Sequence, residues 1–203
     1  MITARGAKKS AIYDRLKDQG AYFKDVSGWE GADWFAPKGK QAKIENHSWG
    51  RADWFEYWEK EHRAARENVI LMDMSFMSKF FVQGRDAGKV LNTVSANEVD
   101  GKLNRITYTP WLNEDGKLEA DLTVAKLEKE KFLVVVTDTM HRHAETWLKR
   151  NIPADAHAFV TDMTSAYAQL NIQGPKSREL LQSITAADVS NEAFPYRHVQ
   201  EIA

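Results

Sequence analysis

The chain has 203 residues, of which 43% are hydrophobic and 28% charged, and its formal net charge is -1. This composition suits a globular protein, and the near-neutral charge gives no electrostatic reason to expect nucleic acid or an anionic membrane as a partner. No apolar run approaches the roughly 18 residues of a membrane span. The absence of cysteine excludes disulfides, thiolate metal sites and cysteine nucleophiles, and it favours a reducing cytoplasm.

The first quarter of the chain is predicted to hold one helix followed by an irregular arm. Residues 10–19 form the predicted helix, which Gly20 ends. Residues 21–52 mix aromatic, glycine and lysine residues, and this mixture predicts an arm that wraps around the body of the protein. Five of the seven tryptophans fall between residues 29 and 58. We interpret them as pinning the arm through their large buried area, rather than as a stacking platform for a ligand.

A second helix is predicted to begin after Asp53. Glu56 follows Asp53 at the spacing of a capping box, and apolar residues then recur at helical intervals. On this basis we expect two parts. Residues 1–52 hold the first helix and the aromatic arm, and residues 53–203 hold the main domain.

The centre of the chain predicts short strands alternating with helices. A strand over residues 79–83 precedes a helix that Asp86 is expected to cap. Residues 106–124 predict a β-hairpin, because Asn113-Glu-Asp-Gly116 supplies residues that tolerate the backbone angles of a tight turn.

The last third continues this pattern of strands and helices. A valine-rich run over residues 131–137 is typical of a buried strand, and a helix is expected from Thr139. Strands are predicted over 156–163 and 166–173, followed by a final helix with proline at its first position. Its apolar residues are expected to point inward: Leu180, Leu181 and Ile184. The whole pattern predicts an α+β fold, with a mixed or antiparallel sheet and packed helices, and no internal repeat is evident.

Asp121 is the strongest candidate for a binding or catalytic residue. In the second strand of the hairpin the apolar residues alternate with Glu119, Asp121 and Thr123, so the carboxylate of Asp121 is expected on the face away from the core. The neighbouring strand carries Tyr108 and Trp111. This arrangement presents a carboxylate to a ligand. The alternative is a solvated aspartate on an exposed strand face.

Two histidine patterns invite a metal interpretation, and both fail on spacing. Glu59 and His62 form a Glu-x-x-His step, but carboxylate-bridged di-iron bundles need two such steps and two further glutamates. His141 and His143 lie two positions apart on a predicted helix, so they do not share a face and are expected at the surface. The sequence therefore predicts no metal site.

Motifs in a fixed order along almost the whole chain resemble those of a known family. The matching segments are Glu61-His-Arg-Ala-Ala-Arg-Glu67, Asp73-Met-Ser-Phe-Met-Ser-Lys-Phe80, Gly84-Arg-Asp-Ala87, Tyr108-Thr-Pro110, Asp121-Leu-Thr-Val124, Gly174-Pro175 and Asp188-Val-Ser-Asn191. Together they are similar to the folate-binding domain of the glycine-cleavage T-protein (aminomethyltransferase) family. The resemblance is strongest to the folate domains of dimethylglycine and sarcosine dehydrogenases, of which Trp34-Phe35 is typical.

The resemblance implies one-carbon transfer from an N-methyl or aminomethyl donor to tetrahydrofolate. It assigns the key carboxylate to Asp121, a folate-contacting aromatic ring to Tyr108 and a wall of the pterin pocket to Met77. Glycine-cleavage members carry asparagine where this chain has Thr137. A threonine offers one hydroxyl in place of an amide's paired contact, which points towards the branch that oxidises methylamines.

The resemblance also sets expectations about cofactors and partners. The dehydrogenase relatives carry FAD on a dinucleotide fold, but this chain has no dinucleotide-binding fingerprint, so FAD is not expected on it. Residues 53–203 match the N-terminal portion of the folate domain, and the expected partners are a missing C-terminal half or a separate FAD-bearing subunit.

The family resemblance allows two other functions. One is a non-catalytic module that binds folate or another subunit of an N-methylglycine-oxidising complex. The other is the family's iron–sulfur maintenance branch, which carries a functional cysteine motif, and the absence of cysteine argues against it.

Overall fold

The computed structural model describes residues 3–43 and 49–202. It consists of two compact units. Unit 1 comprises Met1–Phe76 and Ala168–Ile184, and unit 2 comprises Met77–Tyr167 and Thr185–Ala203. Within the described ranges, no helix is both long enough and apolar enough to span a bilayer.

The helices and strands confirm the predicted α+β class. In chain order they are α1 (Tyr13–Asp18), β1 (Ala21–Val26), β2 (Trp29–Phe35), α2 (Phe55–Glu67), β3 (Ile70–Asp73), β4 (Ser78–Gln83), α3 (Ala87–Val94), β5 (Ile106–Leu112), β6 (Leu118–Glu128), β7 (Lys131–Val136), α4 (His141–Arg150), β8 (Phe159–Asp162), β9 (Leu170–Gln173) and α5 (Ser177–Gln182). Every pair of these strands is antiparallel.

Unit 2 is built on a five-stranded sheet in the order β5-β6-β7-β4-β8. Alternation decides which side chains are buried, because successive residues of a strand point to opposite faces. In β7, Phe132, Val134 and Val136 are buried while Leu133 and Val135 are only partly so. The buried face packs against helices α3 and α4, which supply Ala87, Leu91, Ala144 and Leu148 to the same core. The other face of the sheet is left for the candidate site.

The predicted irregular arm over residues 21–52 is wrong for its first part. Strands β1 and β2 form an antiparallel hairpin with Val26 paired to Trp29. Ser27 and Gly28 make the turn with φ values of 50° and 87°. These positive angles suit the two-residue turns that join hairpin strands. The rest of the predicted arm includes residues 44–48, which lie outside the described ranges.

The tryptophans were predicted to pin the arm through buried area, and in unit 1 this is confirmed for Trp34 and wrong for Trp49. Trp34 of β2 is buried, and its ring lies 6.3 Å from that of Trp54 and 5.9 Å from that of Tyr57 at the start of α2. These stacked rings hold the hairpin against the helix. Trp49 is fully exposed and does not serve that purpose.

One predicted helix cap is misplaced by one residue, and another is in the predicted position but lacks the expected side-chain hydrogen bond. Helix α2 begins after Trp54 rather than Asp53, with no side-chain hydrogen bond at its cap. Asp86 does precede α3, but its carboxylate accepts the backbone N–H of His157 at 2.7 Å instead of capping the helix. The Asp86 oxygen that the local pattern assigned to the helix thus binds a residue distant in the sequence.

The final helix also differs from its prediction. Helix α5 begins at Ser177, two residues after the proline that was expected to open it. Leu180 and Ile184, expected to point inward, are 39% and 71% exposed. Leu180 in this short helix and Ile184 just beyond its end are therefore exposed apolar side chains.

Residues 73–100 and 162–190 form an internal duplication that the sequence analysis missed. Each copy runs from Asp-Met-Ser/Thr through a strand to Gln-Gly and then a helix. The glycines that end the strands, Gly84 and Gly174, have φ values of 122° and 120°, and a Cβ on either would meet a backbone carbonyl oxygen at 2.2 or 2.3 Å. Only glycine fits at these two positions.

The two copies exchange equivalent contacts. In unit 1, β3 pairs with β9, and the hydroxyl of Ser75 accepts the N–H of Gln169 at 3.1 Å. In unit 2, β8 pairs with β4, and the hydroxyl of Thr164 accepts the N–H of Lys79 at 3.1 Å. The strand that leads into each copy therefore pairs with the strand inside the other copy. Sequence periodicity could not show this, because the copies differ at most positions and by one inserted residue.

Candidate functional site

The β5–β6 hairpin that carries the candidate site folds as predicted. Asn113 organises its turn: its backbone carbonyl accepts the N–H of Gly116 at 2.9 Å, and its side-chain oxygen accepts the N–H groups of Asp115 and Lys117 at 3.1 and 2.9 Å. Gly116 has a φ of 74°, in the left-handed region that favours glycine. The turn fixes the register that places residues of β5 opposite those of β6.

Tyr108 and Asp121 lie on the exposed face of this hairpin. Pro110 is paired with Asp121, and Tyr108 with Thr123, so the tyrosine and the aspartate are diagonal neighbours on one face. The Tyr108 hydroxyl donates a hydrogen bond of 3.0 Å to Oδ2 of Asp121. Tyr108 is 54% exposed, and Asp121 is exposed as well. The structure thus joins two of the predicted site residues directly.

The hydrogen bond between these residues has an electrostatic consequence. It stabilises the neutral phenol, and the negative carboxylate disfavours a second negative charge beside it, so the pKa of Tyr108 is raised above its ordinary value. At neutral pH the hydroxyl is therefore a donor that holds one carboxylate oxygen. Within the described part of the chain, Oδ1 of Asp121 accepts no hydrogen bond, which leaves it open to a donor from outside.

Met77 and Thr137 lie at the same end of neighbouring strands. The pairing of β4 with β7 ends at Ser78 and Val136, so Met77 and Thr137 are each one residue beyond it. On its other side Val136 pairs with the residue that follows Asp121 in β6. Met77 and Thr137 are thus at the Asp121 end of the sheet. In the described ranges, neither hydrogen-bonds to Tyr108 or Asp121, and the Thr137 hydroxyl donates to Asp138 at 3.2 Å.

Lys79 is a polar group of this face that the sequence analysis did not select. It pairs with Val135, which pairs with Thr123, which pairs with Tyr108, so Lys79 and Tyr108 belong to one cross-strand row. Lys79 is 3% exposed, and its ammonium donates to the carbonyl of Met77 at 2.7 Å. The available signal was a single lysine directly before the apolar run Phe80-Phe-Val82.

The histidine patterns behave as ordinary surface and helix contacts. His141 and His143 on α4 bond to different partners, Asp162 at 2.8 Å and Glu119 at 2.9 Å. His62 Nδ1 lies 2.9 Å from the Trp58 carbonyl one turn earlier. Among residues 3–43 and 49–202, no group of three or more histidine, aspartate or glutamate side chains is arranged to hold a metal ion.

Comparison with proteins of known sequence and structure gives the chain a family. Residues 12–203 match the family described as GCVT N-terminal domain. Aminomethyltransferase T of the glycine cleavage system from Bartonella henselae has a similar fold, with a TM-score of 0.70 and 20% identity over 87% of this chain and 43% of that one.

Two curated relatives align over nearly all of the chain. The 4-methylaminobutanoate oxidase (formaldehyde-forming) of Paenarthrobacter nicotinovorans is 37% identical over 98% of this chain and 24% of its own length. The mitochondrial pyruvate dehydrogenase phosphatase regulatory subunit of Mus musculus is 30% identical over 99% of this chain and 23% of its own length. The chain thus spans about a quarter of these relatives. It belongs to the GCVT N-terminal domain family.

Proposed function

We propose that this chain carries the folate-binding face of a one-carbon transferase. In this reaction a methylene group passes from an amine donor to tetrahydrofolate. The observation that supports the proposal is the exposed carboxylate of Asp121, which Tyr108 holds by one oxygen while the other oxygen stays open. A flat heterocycle bearing N–H donors fits a face with these features, since the open oxygen accepts such a donor and the phenol ring offers apolar area beside it.

Tetrahydrofolate supplies two nucleophilic nitrogens that together accept the methylene group. The donor is an iminium ion, formed when an N-methyl amine is oxidised. The two N–H protons of the folate leave with the amine, so the released amine is protonated and charge is conserved. Asp121 has two roles in this scheme. It orients the reacting nitrogen through a hydrogen bond, and its negative charge stabilises the cation beside it.

The other candidate residues have supporting roles in the proposal. Tyr108 fixes the orientation of the carboxylate. The thioether of Met77 forms a soft wall against the heterocycle, as methionine does in many binding surfaces. Thr137 supplies one further hydroxyl at the same end of the sheet. No other cofactor is assigned to this chain, and FAD is assigned to a different part of the protein or to a separate subunit.

The family and one curated relative support this choice of chemistry. The relative from Paenarthrobacter nicotinovorans is an oxidase named for a methylamino substrate and for forming formaldehyde, a carbon at the oxidation level of a methylene group. We propose that the donor here is likewise an N-methyl amine. The proposed partners are an FAD-bearing subunit or domain and the remainder of the folate site, and the proposed location is the cytoplasm, or the mitochondrial matrix in a eukaryote.

Calorimetric titration of the 203-residue chain with tetrahydrofolate tests the binding step. We expect weak binding that Asp121→Ala weakens by about tenfold or more, since hydrogen bonds to charged groups contribute roughly 1.5–3 kcal/mol. Glu114→Gln is the matched control, because Glu114 is an exposed carboxylate at the turn of the same hairpin. Binding that is equally strong in the Asp121→Ala variant would exclude this site.

The catalytic step is tested in the complete protein with the conservative change Asp121→Asn. This variant keeps the size of the side chain and removes its charge. If Asp121 stabilises an iminium ion, formation of methylenetetrahydrofolate should fall by about 10² or more while folate affinity changes far less. Unchanged turnover would mean that the carboxylate is structural or solvated.

A non-catalytic module is the second candidate function. It is favoured by the 30% identity to a protein named as a regulatory subunit. In that case the chain would bind folate, or another subunit, without transferring carbon. Tight folate binding in a complete protein that forms no methylenetetrahydrofolate from any N-methyl amine would support this candidate over the first.

A further inference from the structure

Unit 1 contains a cavity of about 510 Å³, and none of the residues proposed to bind folate is among its described lining residues. This volume lies in the range of small-molecule sites. Helix α2 and strands β2 and β3 supply most of its wall, which is mainly apolar. Three aromatic side chains take part: Phe35, Trp58 and Phe76.

The charged groups in the wall of this cavity are all acidic, and most already have partners. Asp33 forms an ion pair with Lys24. Asp73 accepts hydrogen bonds from the hydroxyls of Ser10 and Ser75. Glu61 differs from both, since in the described part of the chain its carboxylate makes no hydrogen bond and no ion pair.

Glu61 is therefore a carboxylate in a mainly apolar wall, and no side chain or backbone group of residues 3–43 and 49–202 hydrogen-bonds to it. It is only partly exposed, and its burial raises its pKa above the ordinary value. His62 also lines the cavity. Its Nδ1 lies within hydrogen-bond distance of the Trp58 carbonyl, one helical turn earlier.

Among the residues that the structure describes, no lysine or arginine lines the cavity, although the chain has 28 of these residues. An anionic ligand would meet three carboxylates and no cation. A neutral apolar ligand would leave Glu61 desolvated and without a partner, at a cost in free energy. An organic ammonium ion meets both demands, because its charge pairs with Glu61 and its apolar part covers the aromatic walls. The face of Trp58 also attracts cations.

We propose that this cavity binds an organic ammonium ion, with Glu61 as its counter-ion and the rings of Phe35, Trp58 and Phe76 around its apolar part. The ligand class is a primary or secondary aliphatic amine in its protonated form. The proposal rests on this cavity alone and does not depend on folate binding by the other unit. It goes beyond the proposed one-carbon transfer, for which Asp121 and Tyr108 are the binding residues.

Ligand-detected NMR titration of the 203-residue chain tests the charge requirement, with n-pentylammonium and 1-pentanol as probes of similar size. We expect the ammonium probe to bind about tenfold more tightly than the alcohol at neutral pH, as suits one hydrogen-bonded ion pair that is partly exposed. Glu61→Gln should remove this preference. Glu59→Gln is the matched control, since Glu59 lies on the same helix, pairs with Arg63 and does not line the cavity.

A second variant locates the ligand. Ala65 lines the cavity, and Ala65→Phe should fill part of it and weaken both probes at least tenfold. Circular dichroism and the titration of Tyr108 in unit 2 check that the variant is folded. Three results would overturn the proposal: equal affinity for the two probes, a preference that survives Glu61→Gln, or binding that survives Ala65→Phe in folded protein. Failure of both probes to bind the native chain would overturn it as well.

Discussion

The hydroxyl of Tyr108 and the carboxylate of Asp121 form a hydrogen bond of 3.0 Å across two antiparallel strands. Both side chains are exposed on the face of the sheet opposite the core. The bond uses one carboxylate oxygen and leaves the other open, so it orients the carboxylate without neutralising its charge. This relationship gives the proposed site its geometry before any ligand binds.

The titration of Tyr108 should report this pair directly. The pKa of Tyr108 is raised by its hydrogen bond to Asp121 and by the negative charge there. The hydrogen bond is therefore present at neutral pH and is lost as the pH rises through the raised pKa. We expect Asp121→Asn to lower the pKa of this phenol, which ultraviolet difference titration detects against Tyr108→Phe as the blank. An unchanged titration curve would show that the two side chains are not coupled in solution.

Met77 should contribute to folate affinity and not to the orientation of Asp121. Met77→Ala removes the thioether that we place against the heterocycle, and we expect about tenfold weaker tetrahydrofolate binding by calorimetry. The Tyr108 titration should stay the same. Leu103→Ala, which truncates an exposed apolar side chain in the same unit, serves as the control. Equal affinities in Met77→Ala and the native chain would remove Met77 from the site.

Glu30 should make unit 1 sensitive to acid. It accepts hydrogen bonds from Nε and Nη2 of Arg5 at 2.8 and 2.6 Å and from the N–H of Gly6 at 2.6 Å. The pKa of Glu30 is lowered to about 2, chiefly by the hydrogen bonds from Arg5. Because the pKa of Glu30 is lower in the folded state, the ionised carboxylate stabilises the folded protein fully above its ordinary pKa of 4.5. This stabilisation is lost as the pH falls towards 2.

Glu30→Gln should therefore destabilise the protein at pH 7 and have less effect as the pH approaches 2. We expect the free energy of unfolding to fall by about 1–2 kcal/mol at pH 7. The loss is no larger because the side chain of Arg5 is 43% exposed and solvent screens part of the interaction. Denaturant unfolding at pH 7 and near pH 2.5 measures the difference. The control Glu56→Gln alters an exposed ion pair on α2 and should leave the midpoint almost unchanged. A Glu30→Gln effect that does not depend on pH would contradict this account.

Gly116 in the hairpin turn and Gly101 before the hairpin allow a matched pair of alanine substitutions. Gly116 has a φ of 74° and open space around the position of a Cβ, so Gly116→Ala adds backbone strain and no clash. We expect a loss of about 1 kcal/mol in the free energy of unfolding. Gly101 also has open space but lies outside the left-handed region, so Gly101→Ala should change stability by less than about half of that amount. Similar losses in both variants would show that the turn angle is not the cause.

The sequence predicted the hairpin and its carboxylate because both depend on neighbours in the chain. Asn113 and Gly116 are three positions apart, so the backbone preferences of one short segment define the turn. The alternation around Asp121 decided which face it takes, since a strand has a period of two residues. The α+β class followed from the same local patterns.

Other features depended on residues far apart in the sequence, and there the prediction failed. The Asp86 carboxylate accepts a hydrogen bond from the N–H of His157, 71 positions away, and none from the first turn of its own helix. The irregular arm was predicted from its mixed aromatic, glycine and lysine content, and there the missed feature was local, since β1 and β2 are joined by the two-residue turn at Ser27 and Gly28. The duplication was hidden because its two copies share few residues, yet each copy supplies the partner strand of the other.

The sequence by itself thus determined the fold class, the hairpin and the face of Asp121. Only the tertiary structure decided that Tyr108 donates a hydrogen bond to Asp121, that Lys79 belongs to the same cross-strand row, and that Glu61 lies in a mainly apolar wall. The physical reason is the range of the interactions. Backbone preference and strand period act over a few residues, whereas strand register, burial and hydrogen-bond partners are set by segments that meet only in the folded chain.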